Sequence, residues 1–420
     1  MSDLLFFAGG ECVSRHGTIV WRESAAQSHR STFTRAAGSA DGTYVGGSGR
    51  IVKADANIPR VSWNDGTPSL LVEQSFENLV SSDNFDSGWS NTGGDGPAVT
   101  TGQSDPAGGT DAYTITDNNT GAVEGKVLTV SFTGDATKGI VFVVKPKTNP
   151  ASGSQQIGLY STTATAWRML LSITWSNGVP SVTATNGAYL GQRYIGNGFY
   201  AIYGTATGVV ADDTNQIFLY PASDSAQTGA FDVYRVNAYN AVVPPYSILD
   251  ASVTSQIETF YADFVAPPQA MTVYAKFQDA GSLAQGNTRG IVHVGGTAGT
   301  SGARFQITVP STSAYRVGYS DGTTGVSSDI TSSAAVWSSV VELRGVLTAA
   351  GSLVAGQSLN GGAETLGDAV SAPGSVSLPS EWAGARIYIG SRGTVSQGVG
   401  VYQAIKVARG EKTMAQMRAL

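Results

Sequence analysis

The sequence predicts an all-β protein in which tandem jelly-roll β-sandwiches follow an extended N-terminal arm. Three observations carry that expectation. Short apolar words recur along the chain, either alternating or continuous, with almost no 3.6-residue period. Gly-Gly, Asp-Gly, Asn-Gly and Pro signals punctuate them at intervals suited to tight turns. Composition agrees: Gly accounts for 53 of 420 residues, and charged residues are 13%, about half the usual ~25%. Gly supplies positive-φ turn positions, and the abundant Ser and Thr tolerate both strands and loops. The length suffices for two or three domains with sizeable cores.

Residues 1–31 open with Leu4, Leu5, Phe6 and Phe7 and continue through Ile19 and Trp21. An apolar start on a polar chain reads either as a docking arm covered by a partner or as a first strand of the protein's own sheet. Residues 32–74 read as a strand-and-turn connector too small for a core of its own, so it should pack on a neighbour. Its acids and bases fall in no spacing that chemistry demands. Residues 75–248 read as the first sandwich, with strands at 127–132, 140–145, 157–160, 169–175, 182–184, 199–203, 217–220 and 231–236. The 140–145 run is almost continuously apolar and should be buried on both faces. Asn177-Gly178 is a strong hairpin signal, and Gly196-Asn197-Gly198 marks another turn. Residues 249–420 read as the second sandwich, with strands from 255–263 to 398–408. The 401–407 segment alternates cleanly and predicts one wet face. Only 412–420 reads as helix, capped by Thr413 and burying Met414 and Met417.

Charge and cysteine usage narrow the function. A net charge of −6 and a pI near 5.1 give no footprint for nucleic acid. Cys12 is the only cysteine, which excludes intrachain disulfides and cysteine clusters. The N-terminus lacks the basic region of a secretory leader, and no run approaches the ~18 apolar residues of a membrane-spanning helix. The expected partners therefore include neither nucleic acid nor membrane.

An ordered set of words runs through Thr32-Phe33-Thr34-Arg35-Ala36, Gly49-Arg50-Ile51, Ile58-Pro59-Arg60, Gly66 with Pro68, Leu70-Leu71-Val72-Glu73 and Asn78-Leu79, then Phe85 and Trp89. It resembles a module common in tailed-phage virion proteins of the head spike, head fibre and decoration type. Further on, Gly196 to Tyr200 and Ile217 to Pro221 look like late strands of the jelly roll that follows in that family. The stretch from Val243 to Ser247 falls where the family leaves that domain. The end of the chain is similar to a laminin-G or concanavalin-like domain. The resemblance implies a structural virion protein on the capsid surface, assembled in the host cytoplasm and docked through its N-terminal region. Its implied partners are the major capsid protein or other virion proteins, with a homo-oligomer such as a trimer. Outward lectin-like or carbohydrate-binding-module-like sandwiches would contact host glycans. A tail-associated receptor-binding protein and a secreted carbohydrate-binding or glycan-cleaving protein are the alternatives.

Catalytic chemistry finds no foothold in the sequence. His16, His29 and His293 form no H-x-x-x-H spacing, and His293 reads as a sheet residue. No G-x-S-x-G word leads from a strand into a helix: Gly318-Tyr319-Ser320-Asp321-Gly322 ends a strand with no helical pattern after it, so it makes no nucleophile elbow. Glycoside hydrolysis needs two converging carboxylates; Glu124, Asp232, Glu258, Glu342 and Glu381 are present without any sign of pairing. Asp212-Asp213 with Asn215 reads as a solvated acidic turn, or else as a calcium turn. No cofactor, metal or enzymatic activity is expected. Aromatics are the recognition candidates, because Trp and Tyr rings stack on the C–H faces of sugars while neighbouring polar groups read hydroxyls. The candidates are Trp167, Tyr189, Tyr194, Trp337 and Trp382; Trp89 and Trp175 read as packing residues.

Overall fold

A computed structural model describes residues 4–8, 13–15, 18–22, 28–35, 43–54, 60–63, 69–73, 75–242, 244–254, 258–263, 270–279, 289–295, 303–311, 314–321, 324–331, 339–348, 350–371, 386–390, 400–409 and 411–419. They are all-β, built of antiparallel sheets with one short helix, Met414–Ala419. The chain divides into two compact units. One joins Met1–Gly38, Ala54–Ser75 and Gln256–Leu420; the other joins Ser39–Lys53 and Phe76–Ser255. The units interleave in sequence, because a strand can complete a sheet whatever its distance along the chain.

In the first unit, the described parts of the segment expected as an arm are strands. Leu4–Ala8 runs antiparallel to Gly400–Arg409, with Leu4 opposite Val407. Thr18–Arg22 pairs with Ser28–Arg35, which in turn pairs with Glu258–Asp263. The backbone of Leu4, Leu5, Phe6, Phe7, Ile19 and Trp21 thus lies within the unit's own sheets, the second of the two sequence readings. The connector also gains a physical account. Arg60–Ser62 and Ser69–Val72 form a hairpin that joins the sheet along Gly400–Arg409. Arg60 Nη1 donates to Glu73 Oε2 at 2.8 Å, both side chains being only 2% exposed. Two charges that sequence spacing left unconnected are therefore a buried pair.

Two further expectations meet the C-terminal helix. Thr413 caps it reciprocally: Gln416 N donates to Thr413 Oγ1 and Thr413 N to Gln416 Oε1, a capping box. Met414 and Met417 pack on Tyr274, Ala404 and Ala408. This overturns the predicted wet face of 401–407, whose residues are almost all buried. The outer face is covered by the helix, and Lys406 Nζ donates to the carbonyl of Met417 at 2.8 Å. Alternation in the sequence reported two chemistries of burial rather than burial against water.

The second unit is a sandwich of two six-stranded sheets. In spatial order one sheet holds Ala98–Gln103, Ala112–Asp117, Gly229–Tyr239, Ala136–Thr148, Phe199–Val209 and Ala188–Gly196. The other holds Val179–Asn186, Ala166–Ser176, Gln155–Ser161, Asn215–Tyr220, Gly125–Val130 and Ser90–Thr92. Ile140, Phe142 and Val144 from the first meet Ile157, Leu159, Leu171 and Ile217 from the second in one core. Asn177 and Gly178 have φ of 50° and 78°, the pair of positive values that a type I′ hairpin requires.

The outward face of the first sheet is covered. Tyr246 is buried against it, accepting from Arg193 Nη2 at 2.7 Å through its carbonyl and facing Tyr203 at 6.1 Å. Asn237 exchanges bonds with Leu249, its Nδ2 donating at 2.7 Å and its Oδ1 accepting at 3.0 Å. Thr43 likewise exchanges bonds with Ile248, which clasps the hairpin of Thr43–Val45 and Ile51–Lys53 to this segment. Lys53–Asp250, Arg235–Asp250 and Arg235–Asp83 ion pairs at 2.6, 3.1 and 3.2 Å complete the clasp.

Asp83 in this clasp carries a pH dependence. Burial raises its pKa from 3.8 to about 6 despite Arg235. Between those values the folded protein holds a proton that the unfolded chain has lost, so this group's contribution falls as pH rises from about 4 through 6. A two-unit shift corresponds to roughly 3 kcal/mol. Denaturant melts of Asp83→Asn and wild type from pH 4 to 8 should show the wild type losing stability relative to the variant over that window. Parallel profiles would contradict it.

Candidate functional site

The outward face of the second sheet stays partly exposed and carries a row of aromatic rings. Strand alternation creates it. In Asn215–Tyr220, Ile217 and Leu219 enter the core while Gln216, Phe218 and Tyr220 point outward. In Gln155–Ser161, Ile157 and Leu159 enter the core and Gln156, Gly158 and Tyr160 point outward. A register shift between Leu159 and Tyr160 brings Trp167 opposite Tyr160. Ring centroids then lie 5.2 Å apart for Tyr160–Trp167, 5.5 Å for Trp167–Phe218, 6.2 Å for Tyr160–Phe218 and 5.5 Å for Phe218–Tyr220. All four rings are half-buried, so the strip is contiguous and keeps a solvent side.

Two glycines give the rings room. A Cβ on Gly158 would lie 3.0 Å from Trp167 Cζ3, so the indole lies over the gap that Gly158 leaves. A Cβ on Gly125 would lie 2.6 Å from Tyr220 Cδ1, and the phenol leans over that position in the same way. Amides alternate with the rings: Tyr160 sits opposite Gln216, and Tyr220 opposite Gln156. Gln156 is in turn opposite Ser172, at 3.5 Å. Burial pushes the Tyr220 phenol above its usual pKa, with a hydrogen bond to Thr92 working the other way. Apolar rings flanked by neutral donors and acceptors can stack on sugar C–H faces and bond their hydroxyls.

Of the aromatics singled out in the sequence, Trp167 falls in this row. Tyr189 and Tyr194 lie on Ala188–Gly196 of the other sheet. Tyr189 is half-buried and donates to Gln192 Oε1 at 2.9 Å, while Tyr194 is 47% exposed and packs edge-on against Tyr200 at 5.5 Å. Trp337 and Trp382 lie outside the described residues. Trp89 is buried against Phe85, its Nε1 donating to the Ser82 carbonyl, and Trp175 donates to Gln155 Oε1. Sequence reading missed Tyr160, Phe218 and Tyr220, since 217–220 is a continuous apolar run that looks buried on both faces. The glycine between Ile157 and Leu159 was the available signal.

Three of the five carboxylates raised in the sequence are held by donors of the fold. Glu124 Oε1 accepts from the amides of Asp95 and Gly96 and from Asn119 Nδ2. Asp232 accepts from Thr114 Oγ1 at 2.6 Å and pairs with Lys145 at 3.2 Å. Glu342 accepts from Tyr274 and Arg418. The side chain of Glu258 and all of Glu381 lie outside the described residues. His293 is a buried sheet residue facing Tyr388. Asp213, read as part of a solvated turn, instead accepts from Ser161 Oγ and pairs with Arg168 at 3.1 Å. Its carboxylate closes the end of the Ser161 strand, which is why it is not free in water.

No family model matches the sequence, and no curated protein matches it. Among solved structures the chain is similar to the CBM40 domain of a Ruminococcus gnavus sialidase bound to α2,3-sialyllactose, with a TM-score of 0.29 and 14% identity over 36% of this chain and 82% of that one. It is also similar to domains LG4-5 of the mouse laminin α1 chain, with a TM-score of 0.24 and 7% identity over 80% and 89% of the two chains. A third is a tail fibre protein of an E. coli phage, with a TM-score of 0.21 and 9% identity over 82% of this chain and 41% of that one.

Proposed function

We propose that this chain is a non-catalytic structural virion protein of the phage spike, fibre or head-decoration kind, and that its Phe76–Ser255 sandwich binds carbohydrate on its partly exposed sheet. One observation carries the binding part: four contiguous rings on a sheet face, seated on glycines and alternating with glutamines. The virion part is supported by the ordered resemblance between Thr32 and Trp89 in the sequence. A binding rather than hydrolytic role fits Asp232 and Glu342, each already paired with a structural cation. Attachment to the capsid would use the N-terminal region as part of a folded unit, with copies arranged to match the symmetry of the shell.

Trp167→Ala is expected to weaken glycan binding at least about tenfold, as loss of a central aromatic does at binding surfaces. Glycan arrays followed by calorimetric titration check it. A folded Trp167→Ala protein that keeps wild-type affinity would end the assignment of this face. Gold labelling of particles is expected to mark the head; label confined to the tail would favour the receptor-binding alternative.

A further inference from the structure

We infer that the ligand of this face is an uncharged glycan, a conclusion that rests on the carbohydrate-binding reading. The outward positions of all six strands are Gly, Ser, Thr, Asn, Gln, aliphatic or aromatic; none is Asp, Glu, Lys, Arg or His. The two cations nearest in sequence are turned away. Arg168, next to Trp167, pairs with Asp213 and reaches toward Gly208 of the opposite sheet, where Nη1 lies 3.3 Å from a Cβ position. Lys126 is buried at the end of the sandwich, donating to the Asp86 and Trp89 carbonyls and to Asn91 Oδ1 at 2.7 Å. At the borders of the strip, Asp213 accepts from Ser161 and neutralises Arg168 at one end, and Asp224 lies in the loop after Tyr220.

A sugar carboxylate laid on these rings would leave water with no cation at the outward strand positions to receive it. Desolvating a charge without a partner is strongly unfavourable. The chain's net charge of −6 adds a weaker, salt-screened repulsion. Hydroxyls and N-acetyl groups meet no such obstacle, since glutamine amides and serine hydroxyls both donate and accept.

The test uses the full chain and matched oligosaccharides, each neutral member paired with the same chain bearing a carboxylate sugar. Wild type, Trp167→Ala and Trp167→Leu are titrated at physiological salt, with thermal melts to confirm folding. The inference expects the neutral members to bind, the acidic partners to bind at least about tenfold more weakly, and both variants to lose the neutral binding. If the acidic members bind as tightly and both variants lose them, the glycan face stands and its neutrality is overturned. If the binding seen is unchanged in the folded variants, or wild type binds neither class, the carbohydrate reading itself falls.

Discussion

Replacing Gly158 by valine is expected to cost the Phe76–Ser255 unit about 3 kcal/mol or more and to abolish glycan binding. The backbone approaches too closely for any side chain, because a Cβ there would stand 2.4 Å from the Met169 carbonyl oxygen. Overpacking in well-filled sites costs typically 1–3 kcal/mol, and here the clash falls on backbone that cannot rotate away. Valine also fills the space beneath the Trp167 indole, lifting the ring out of the row. Gly158→Ala should show the same two effects at smaller size. Urea denaturation of the full chain measures the first and glycan titration the second. Wild-type stability in Gly158→Val would mean that the strand spacing is wrong, and with it the seat of the indole.

Arg60→Ala is expected to destabilise the other unit by about 3–5 kcal/mol, the usual cost of removing one member of a buried ion pair. Glu73 has no water to fall back on, being only 2% exposed at the side chain. The hairpin it closes joins Gly400–Arg409, the strand that also pairs with Leu4–Ala8. Loss should therefore spread through that sheet. Replacing the pair together, Arg60→Met with Glu73→Leu, should restore much of the loss, because apolar residues of similar volume often substitute well for buried ion pairs. Equal losses in the single and double variants, by denaturant titration, would show that the charges matter apart from one another.

Most of the strand inventory was legible in the sequence because turn chemistry is local. Asn177-Gly178 marked its hairpin through two positive-φ residues, and Thr413 marked the helix start, where the structure adds Gln416 as its reciprocal partner. What the sequence did not show depends on long-range pairing. The buried partnership of Arg60 with Glu73 appears only when Arg60–Ser62 and Ser69–Val72 align. The outer cover of 401–407 comes from a helix whose own apolar face looked like ordinary core. The aromatic row was legible only at Trp167. Tyr160, Phe218 and Tyr220 come from separate strands, and which side of each strand faces solvent is a property of the sheet rather than of the strand.

The most direct test of the account is the response of individual tryptophans to sugar. With indole-labelled protein, titrating a bound neutral oligosaccharide should shift the Trp167 N–H resonance while those of Trp89 and Trp175, tied to Ser82 and Gln155, stay in place. Saturation of the protein with that oligosaccharide while the Trp167 resonance does not move would contradict it.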